Sequence, residues 1–306
     1  MKALEIENIS KKFGDFFAVK NLSFSIPAGS IYGMLGPNGA GKTTTIRMVM
    51  NIIIPDQGNI RVLNRRMDEK MKEQIGYLPE DRGLYPKMKV EELLLFLAEL
   101  KGMSRSEARE ASETWLDRFD LTEWKLKKVE ELSRGMQQKL QFIVTVIHRP
   151  DLIILDEPFA GLDPVNTKLL KDVMLEMKEE GRTVIFSTHR MEQVEMICDH
   201  ICLINKAEKV LEGNLSGIKK QYGKNTVVLD YEGRTDFIKS IPGIDKIDDY
   251  GKFMEIRLKE GVDPQDLLPG LVGKVRINRY EVKEPSLNAI FMEKVGERDE
   301  KDLISH

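Results

Sequence analysis

From Val19 to Ile26 the chain alternates: Leu22, Phe24 and Ile26 are separated by polar residues, the period-two signature of a strand with one buried face. Leu4 to Ile9 carries a second strand pattern. Three later stretches, "IYGML" (31–35), "LIIL" (152–155) and "TVIFSTH" (183–189), are instead nearly unbroken apolar runs. Strands covered on both faces in a parallel sheet read this way. Shorter strands are expected around Ile60 and at Ile75–Leu78. A helix is predicted from Lys42 to about Ile53, stopped by Pro55. Val90–His148 reads as a helical region with a capping box at Ser104 and Glu107. Asp163 and Pro164 supply an N-cap and an N1 proline to a helix that Gly181 ends, and Met191–Asp199 predicts a short helix.

Near Gly217–Gly223 the pattern changes. From there the chain predicts a strand (Thr226–Tyr231), a helix (Thr235–Ser240) and two strands (Lys246–Tyr250, Phe253–Leu258). A helix (Pro264–Leu271), a strand (Val275–Tyr280) and a last helix (Ser286–Val295) come after them. That βαββαβ order with an added helix predicts a small α+β, ferredoxin-like domain. The expected division is residues 1–218 for the first domain, with its helical subdomain at about 88–148, and 224–306 for the second.

Composition narrows the class. The 306 residues exceed one ordinary core. A net charge of −3 gives no sign of a polyanion-binding surface, so no nucleic-acid partner is expected. No apolar run approaches the roughly 20 residues that span a bilayer. Met1–Glu5 begins a strand pattern and not a secretory signal, so a cytoplasmic protein is expected. Cys198, His200 and Cys202 in "CDHIC" make a poor zinc set and read as structural.

The candidate chemistry begins after the first apolar strand. Gly36-Pro37-Asn38-Gly39-Ala40-Gly41-Lys42-Thr43 fits G-x-x-x-x-G-K-[ST] between a strand and a helix, and Thr44 is the next residue. Its glycines let successive N–H groups converge on phosphate oxygens. Lys42 offers a point charge to the β- and γ-phosphates, and the Thr43 hydroxyl suits Mg²⁺. "LIILDEP" ends a buried strand in two acids: Asp156 is expected to hold the metal through water, and Glu157 to polarise the attacking water. His189 ends the next buried strand and is expected at the same sheet edge, near the γ-phosphate and Glu157. Ser133 and Gly135 in "ELSRGMQQKL" open a helix, a second place suited to an anion.

Together these motifs resemble the ATP-binding subunit of an ABC transporter, over Met1 to about Gly217. "GPNGAGKTT" is similar to that family's Walker A, "LSRGMQQK" to its signature, "LIILDEP" to Walker B, "AGLD" (160–163, ending in Asp163) to the D-loop, and His189 to the switch histidine. Phe13 in "KKFG" stands where the family stacks an aromatic on adenine, with Phe16 a nearby competitor and core packing the other reading for both. The resemblance implies an ABC cassette of the P-loop NTPase class, a mixed α/β sheet core plus a helical subdomain, with ATP and Mg²⁺ as cofactors. It also implies a head-to-tail homodimer around two ATP, in which Ser133 and Gly135 touch the γ-phosphate held by the other copy. The partners it implies are transmembrane permease subunits, and the location is the inner face of the membrane.

Two positions depart from the family pattern. "YLPEDRG" places Glu80 where the family has a Mg²⁺-contacting Gln, and the added charge predicts tighter metal binding. Arg134 replaces the first of two usual glycines and is expected in solvent. "RGLYPKM" offers Tyr85, Pro86 and Met88 either to the permease or to loop packing. The C-terminal domain resembles one on export-type subunits, including those linked to sodium or drug extrusion, so export is the expected direction. A soluble ABC-type ATPase acting on ribosomes or DNA, and a regulatory binder with little turnover, are the competing functions. The absence of tandem cassettes and coiled coils weighs against the former, and intact Glu157 and His189 against the latter.

Overall fold

The computed structural model describes residues 1–81, 83–221, 226–259 and 261–304. The chain divides into two compact units, Met1–Gly213 and Asn214–His306.

The first unit opens with a long hairpin, β1 (Lys2–Phe13) and β2 (Phe16–Pro27), antiparallel and interrupted by register shifts. Both strands run well beyond the predicted alternation. β3 (Ile31–Leu35) leads into α1 (Lys42–Val49). α1 is shorter than expected: Asn51 adopts a left-handed φ of 53°, and Ile52 N–H bonds back to Arg47 O at 2.9 Å. That turn stops the helix before Pro55 is reached. β4 (Gln57–Val62), α2 (Glu69–Glu73) and β5 (Ile75–Leu78) come next. The helical region comprises α3 (Val90–Leu100), α4 (Arg105–Arg118) and α5 (Arg134–Val146). The Ser104–Glu107 capping box is formed at the start of α4.

β6 (Leu152–Asp156), α6 (Pro164–Glu179), β7 (Thr183–Thr188), α7 (Met191–Ile197), β8 (His200–Asn205) and β9 (Glu208–Asn214) complete the unit. The last two strands are not signalled by the sequence pattern. The turn between them puts Lys206 (φ 47°) and Ala207 (φ 68°) in the left-handed region. Hairpin turns of that kind normally advertise themselves with Asn-Gly or Asp-Gly.

Two sheets result. One is antiparallel, in the order β2-β1-β4; the other runs β5-β6-β7-β3-β8-β9 and is parallel from β5 through β8. They share one apolar core with α1, in which Leu4, Ile6 and Phe24 meet Tyr32, Met34 and Ile154. The parallel register aligns Leu35 with Thr188 and Asp156 with Ser187, so the segments leaving β3, β6 and β7 emerge at one edge. In open parallel sheets this carboxyl edge is where ligands bind.

The second unit begins at Asn214, whose Oδ1 accepts from the Gly217 N–H (3.0 Å) at the start of α8 (Leu215–Gln221). This break is earlier than the expected 218, because α8 belongs to the second unit; residue 224 lies outside the described residues. β10 (Thr226–Glu232), β11 (Ile244–Asp249), β12 (Phe253–Leu258) and β13 (Arg276–Lys283) form a fully antiparallel sheet in the order β11-β12-β10-β13. Its crossovers are slighter than predicted. The first is a 3-10 turn (Asp236–Ser240); the second is another (Pro264–Leu267) running into one turn of helix, α9 (Leu268–Leu271). α10 (Leu287–Ile304) ends the chain's described structure. Val227, Leu229, Ile238, Ile256 and Leu267 form a separate small core.

Candidate nucleotide site

The loop between β3 and α1 is a cradle that admits only glycine at two of its positions. At Gly41 (φ 106°) a Cβ would lie 2.3 Å from Ala18 O, and at Gly36 (φ 153°) one would lie 2.1 Å from Ile204 O. With both side chains absent the loop closes tightly over the start of α1, whose free N–H groups and dipole attract an anion. Lys42 Nζ donates to Gly36 O (2.7 Å) and Pro37 O (3.1 Å), so the ammonium is folded across the loop it would serve. Burial holds the Lys42 ammonium below its ordinary pKa, against the attraction of Glu157, Asp156 and Glu80.

The cradle opens into a cleft of about 460 Å³ lined by Phe13, Phe16, Asn38, Gly39, Gly41, Lys42, Thr43, Thr44, Glu80 and Glu157, among others. Core packing is excluded for both aromatics: Phe13 is 51% exposed and Phe16 64%. They face each other across the β1–β2 turn, so the hairpin presents both rings at the cleft rim.

Asp156 sits beneath the cleft and is only 1% exposed. The Ser187 hydroxyl donates to Asp156 Oδ1, whereas Oδ2 is buried with no partner. Burial raises the Asp156 pKa, opposed first by the hydrogen bond from Ser187. A buried carboxylate oxygen left unsatisfied is costly, and a cation beside it removes that cost. The Thr43 hydroxyl also donates toward Glu80 Oε2 at 3.5 Å, at the limit of a hydrogen bond. Among the described residues no three His, Cys, Asp or Glu side chains are grouped to enclose a metal. That donor set suits Mg²⁺, which takes one or two protein oxygens and completes its shell with water and phosphate.

Glu157 is a non-glycine residue at φ 49°, held there because its N–H donates to Ser187 O and Oγ, both at 3.2 Å. Its Oε1 accepts from the His189 backbone N–H (3.1 Å) and lies 2.8 Å from His189 Nδ1. The two buried strands therefore deliver the acid and the imidazole as a bonded pair.

Of the expected residues, Gly36, Pro37, Ala40, Asp156 and His189 adjoin the lining residues without lining the cleft themselves, and three more stand apart from it. Ser133, Gly135 and Asp163 do not line the cleft. Ser133 is an exposed N-cap of α5, accepting from Met136 N–H at 3.3 Å, and Arg134 beside it is exposed. Asp163 caps α6 through Asn166 N–H (2.8 Å). Sequence reasoning missed Ser187, Gln138 and Gln141. Gln138 Nε2 donates to Pro158 O (3.1 Å), while Gln141 Nε2 donates to Pro79 O (3.1 Å) and Asp81 O (3.4 Å). Their signal was a polar residue at a buried position: Ser187 in an apolar strand, and two amides three apart on a buried helix face.

Residues 19–160 match the family described as ABC transporter, and residues 213–295 match the one described as ATP-binding protein DrrA1-3-like, C-terminal domain. The chain is 45% identical over 293 residues to YhaQ of Bacillus subtilis (strain 168), an uncharacterized ABC transporter ATP-binding protein, covering 96% of this chain and 98% of that protein. It is 31% identical over 300 residues to Nod factor export ATP-binding protein I of Burkholderia orbicola (strain AU 1054), covering 96% and 97%. A solved structure of the ATP binding subunit of an ABC transporter superposes with a TM-score of 0.68 at 30% identity, over 72% of this chain and 93% of that one. The phosphate cradle, the acid-ended buried strand and these likenesses agree: the chain belongs to the ABC transporter ATP-binding proteins, and is the subunit that binds and hydrolyses ATP for a transporter.

Proposed function

We propose that this chain drives an exporter by closing with a second copy around two ATP molecules. The observation that carries the proposal is the split between the cleft and Ser133: the cradle and Glu157 share one cleft, while the α5 turn stands exposed outside it. An exposed helix start with a hydroxyl, set apart from this chain's own phosphate cradle, fits a phosphate presented by another molecule. Two such chains related by a twofold axis complete two sites at once.

Within each site, Phe13 or Phe16 stacks on the base, and backbone N–H groups of the loop from Asn38 to Gly41 hold the phosphates with Lys42 and Thr44. Thr43, Asp156 and Glu80 are the residues that would hold Mg²⁺, which neutralises charge on the transferring phosphoryl group. The Glu157 carboxylate, fixed through Oε1 by His189, accepts a proton from the attacking water on its other oxygen and orients it in line with the phosphorus. His189 keeps that carboxylate from turning away. Ser133 and Gly135 donate to the γ-phosphate of the partner's nucleotide, and Asp163 lies beside them to form the rest of the contact. Hydrolysis removes the phosphate that both copies grip, and the pair separates.

No helix among the described residues is long and apolar enough to cross a membrane. The likeness to ABC transporter ATP-binding proteins supports a transport path in separate permease subunits, which this chain meets from the cytoplasmic side. Exposed Tyr85, packed edge-on to exposed Phe96 at 6.1 Å between centroids, offers them an apolar contact. A named export protein among the relatives supports the outward direction.

The Glu157→Gln variant tests the site. Its turnover is expected to fall about 10²–10⁴-fold, the usual worth of a general base. With ATP and Mg²⁺ it should then run as a dimer by light scattering. A variant that stays monomeric when saturated, with and without its copurified permease, rejects the shared-site arrangement.

A further inference from the structure

Glu80 is exposed, and its long contact with Thr43 does little to hold it. Its backbone, however, is gripped from both sides. Gln141 Nε2 donates to Pro79 O (3.1 Å) and to Asp81 O (3.4 Å), the carbonyls immediately before and after Glu80. Pinning those two peptide groups fixes the direction in which the Glu80 side chain leaves the chain.

The placement of Gln141 is costly. It is buried on α5, and its own Oε1 is left without a partner. An amide in apolar surroundings with an unsatisfied acceptor is disfavoured unless its donors are needed. Gln138, one turn earlier on the same helix, makes the corresponding bond to Pro158 O, next to Glu157. One helix thus holds the backbone beside both acids of the cleft.

We infer that Gln141 is a positioning residue for Glu80: from the helix that begins at Ser133 it pins the Pro79 and Asp81 carbonyls and keeps the Glu80 carboxylate beside Thr43. The inference rests on the reading of Glu80 as a Mg²⁺ ligand. It adds that a shift of α5 carries Glu80 with it, so the turn facing the second copy and the metal-binding acid move together.

The test uses the full chain and a fluorescent, non-hydrolysable ATP analogue, with Mg²⁺ titrated to the midpoint of tight binding. Gln141→Met, which keeps the length without the donors, should raise that midpoint about tenfold, the low end for a residue that orients a metal ligand. In a Glu80→Ala background the same substitution should change nothing. An equal shift in both backgrounds, or none in either, overturns the inference. Hydrogen exchange of Leu78–Asp81 without nucleotide is the second measurement: faster exchange in Gln141→Met is expected, and unchanged exchange overturns the strut itself. If Glu80→Ala alone leaves the midpoint unmoved, the metal role of Glu80 falls, while the exchange result still decides whether Gln141 holds the loop. Gln141→Glu, which points acceptors at two carbonyls, serves as the second variant and should shift the midpoint in the same direction, and further.

Discussion

Glu80 puts a full charge where the resemblance led to a neutral Gln being expected. Two unit charges about 4 Å apart interact by roughly 4 kcal/mol at an effective dielectric near 20. Glu80 is exposed, however, so water and salt screen most of that. Glu80→Gln is therefore expected to raise the Mg²⁺ concentration for half-maximal ATPase by about tenfold, not by hundreds, as screening of a surface charge implies. An unmoved midpoint rejects the charge argument. Glu157 shows a different kind of commitment. Its left-handed backbone stores of order 1–3 kcal/mol, a cost that persists because Ser187 and His189 over-determine the position. Held in that conformation, the residue lines the cleft.

At the scale of elements, α5 does several jobs. Ser133 caps its first turn, Gln138 and Gln141 brace two loops, and Leu140, Phe142, Ile143 and Val146 bury its apolar face. His148 lies just past its last turn, and burial pushes that imidazole down to about 4. The unfolded chain, with an ordinary histidine near 6.5, then binds more protons than the folded one between those values. Stability from this group is complete above pH 6.5 and is lost as pH falls toward 4. The expected loss is about 2 kcal/mol between pH 7 and pH 5. Urea unfolding at the two pH values measures it, and His148→Gln should remove that part of the difference. Equal acid sensitivity in the variant assigns the effect to other groups.

At the scale of the molecule, the first unit alone contains the whole cradle, the acids and the α5 turn, while the second has its own sheet and core. Ligand binding should consequently appear as stabilisation of the first unit. Free nucleotide at a hundred times its dissociation constant adds about 2.7 kcal/mol. In thermal unfolding this predicts a transition that rises with ATP and Mg²⁺ together, and less with ATP and a chelator. Asp156→Asn should abolish the difference between the two conditions. A difference that survives the substitution removes Asp156 from the metal's shell. The twofold pairing proposed above belongs to this scale as well, since in that proposal the Ser133 turn of one copy completes the site of the other.

The local chemistry was legible in the sequence because it needs particular residues at fixed spacing. A backbone that curls around phosphate demands glycines at 36, 39 and 41, and a buried strand ending in two acids declares itself by its apolar run. Other features depended on tertiary structure. That His189 stands at the same edge as Asp156 and Glu157 was expected from two successive buried runs, but the direct bond from Glu157 Oε1 to the His189 backbone and ring is set by the register of the strands, which no one-dimensional period encodes. The β8–β9 hairpin escaped notice because Lys206 and Ala207 fill a turn that usually carries glycine or asparagine. Gln141 was invisible for a related reason: its partners are backbone carbonyls some sixty residues away, and a carbonyl has no residue identity for a sequence to display. What the sequence determined by itself was therefore the set of chemical groups. The fold decided which of them share a cleft, because long-range pairing and the satisfaction of buried polar groups are settled only when the strands come together.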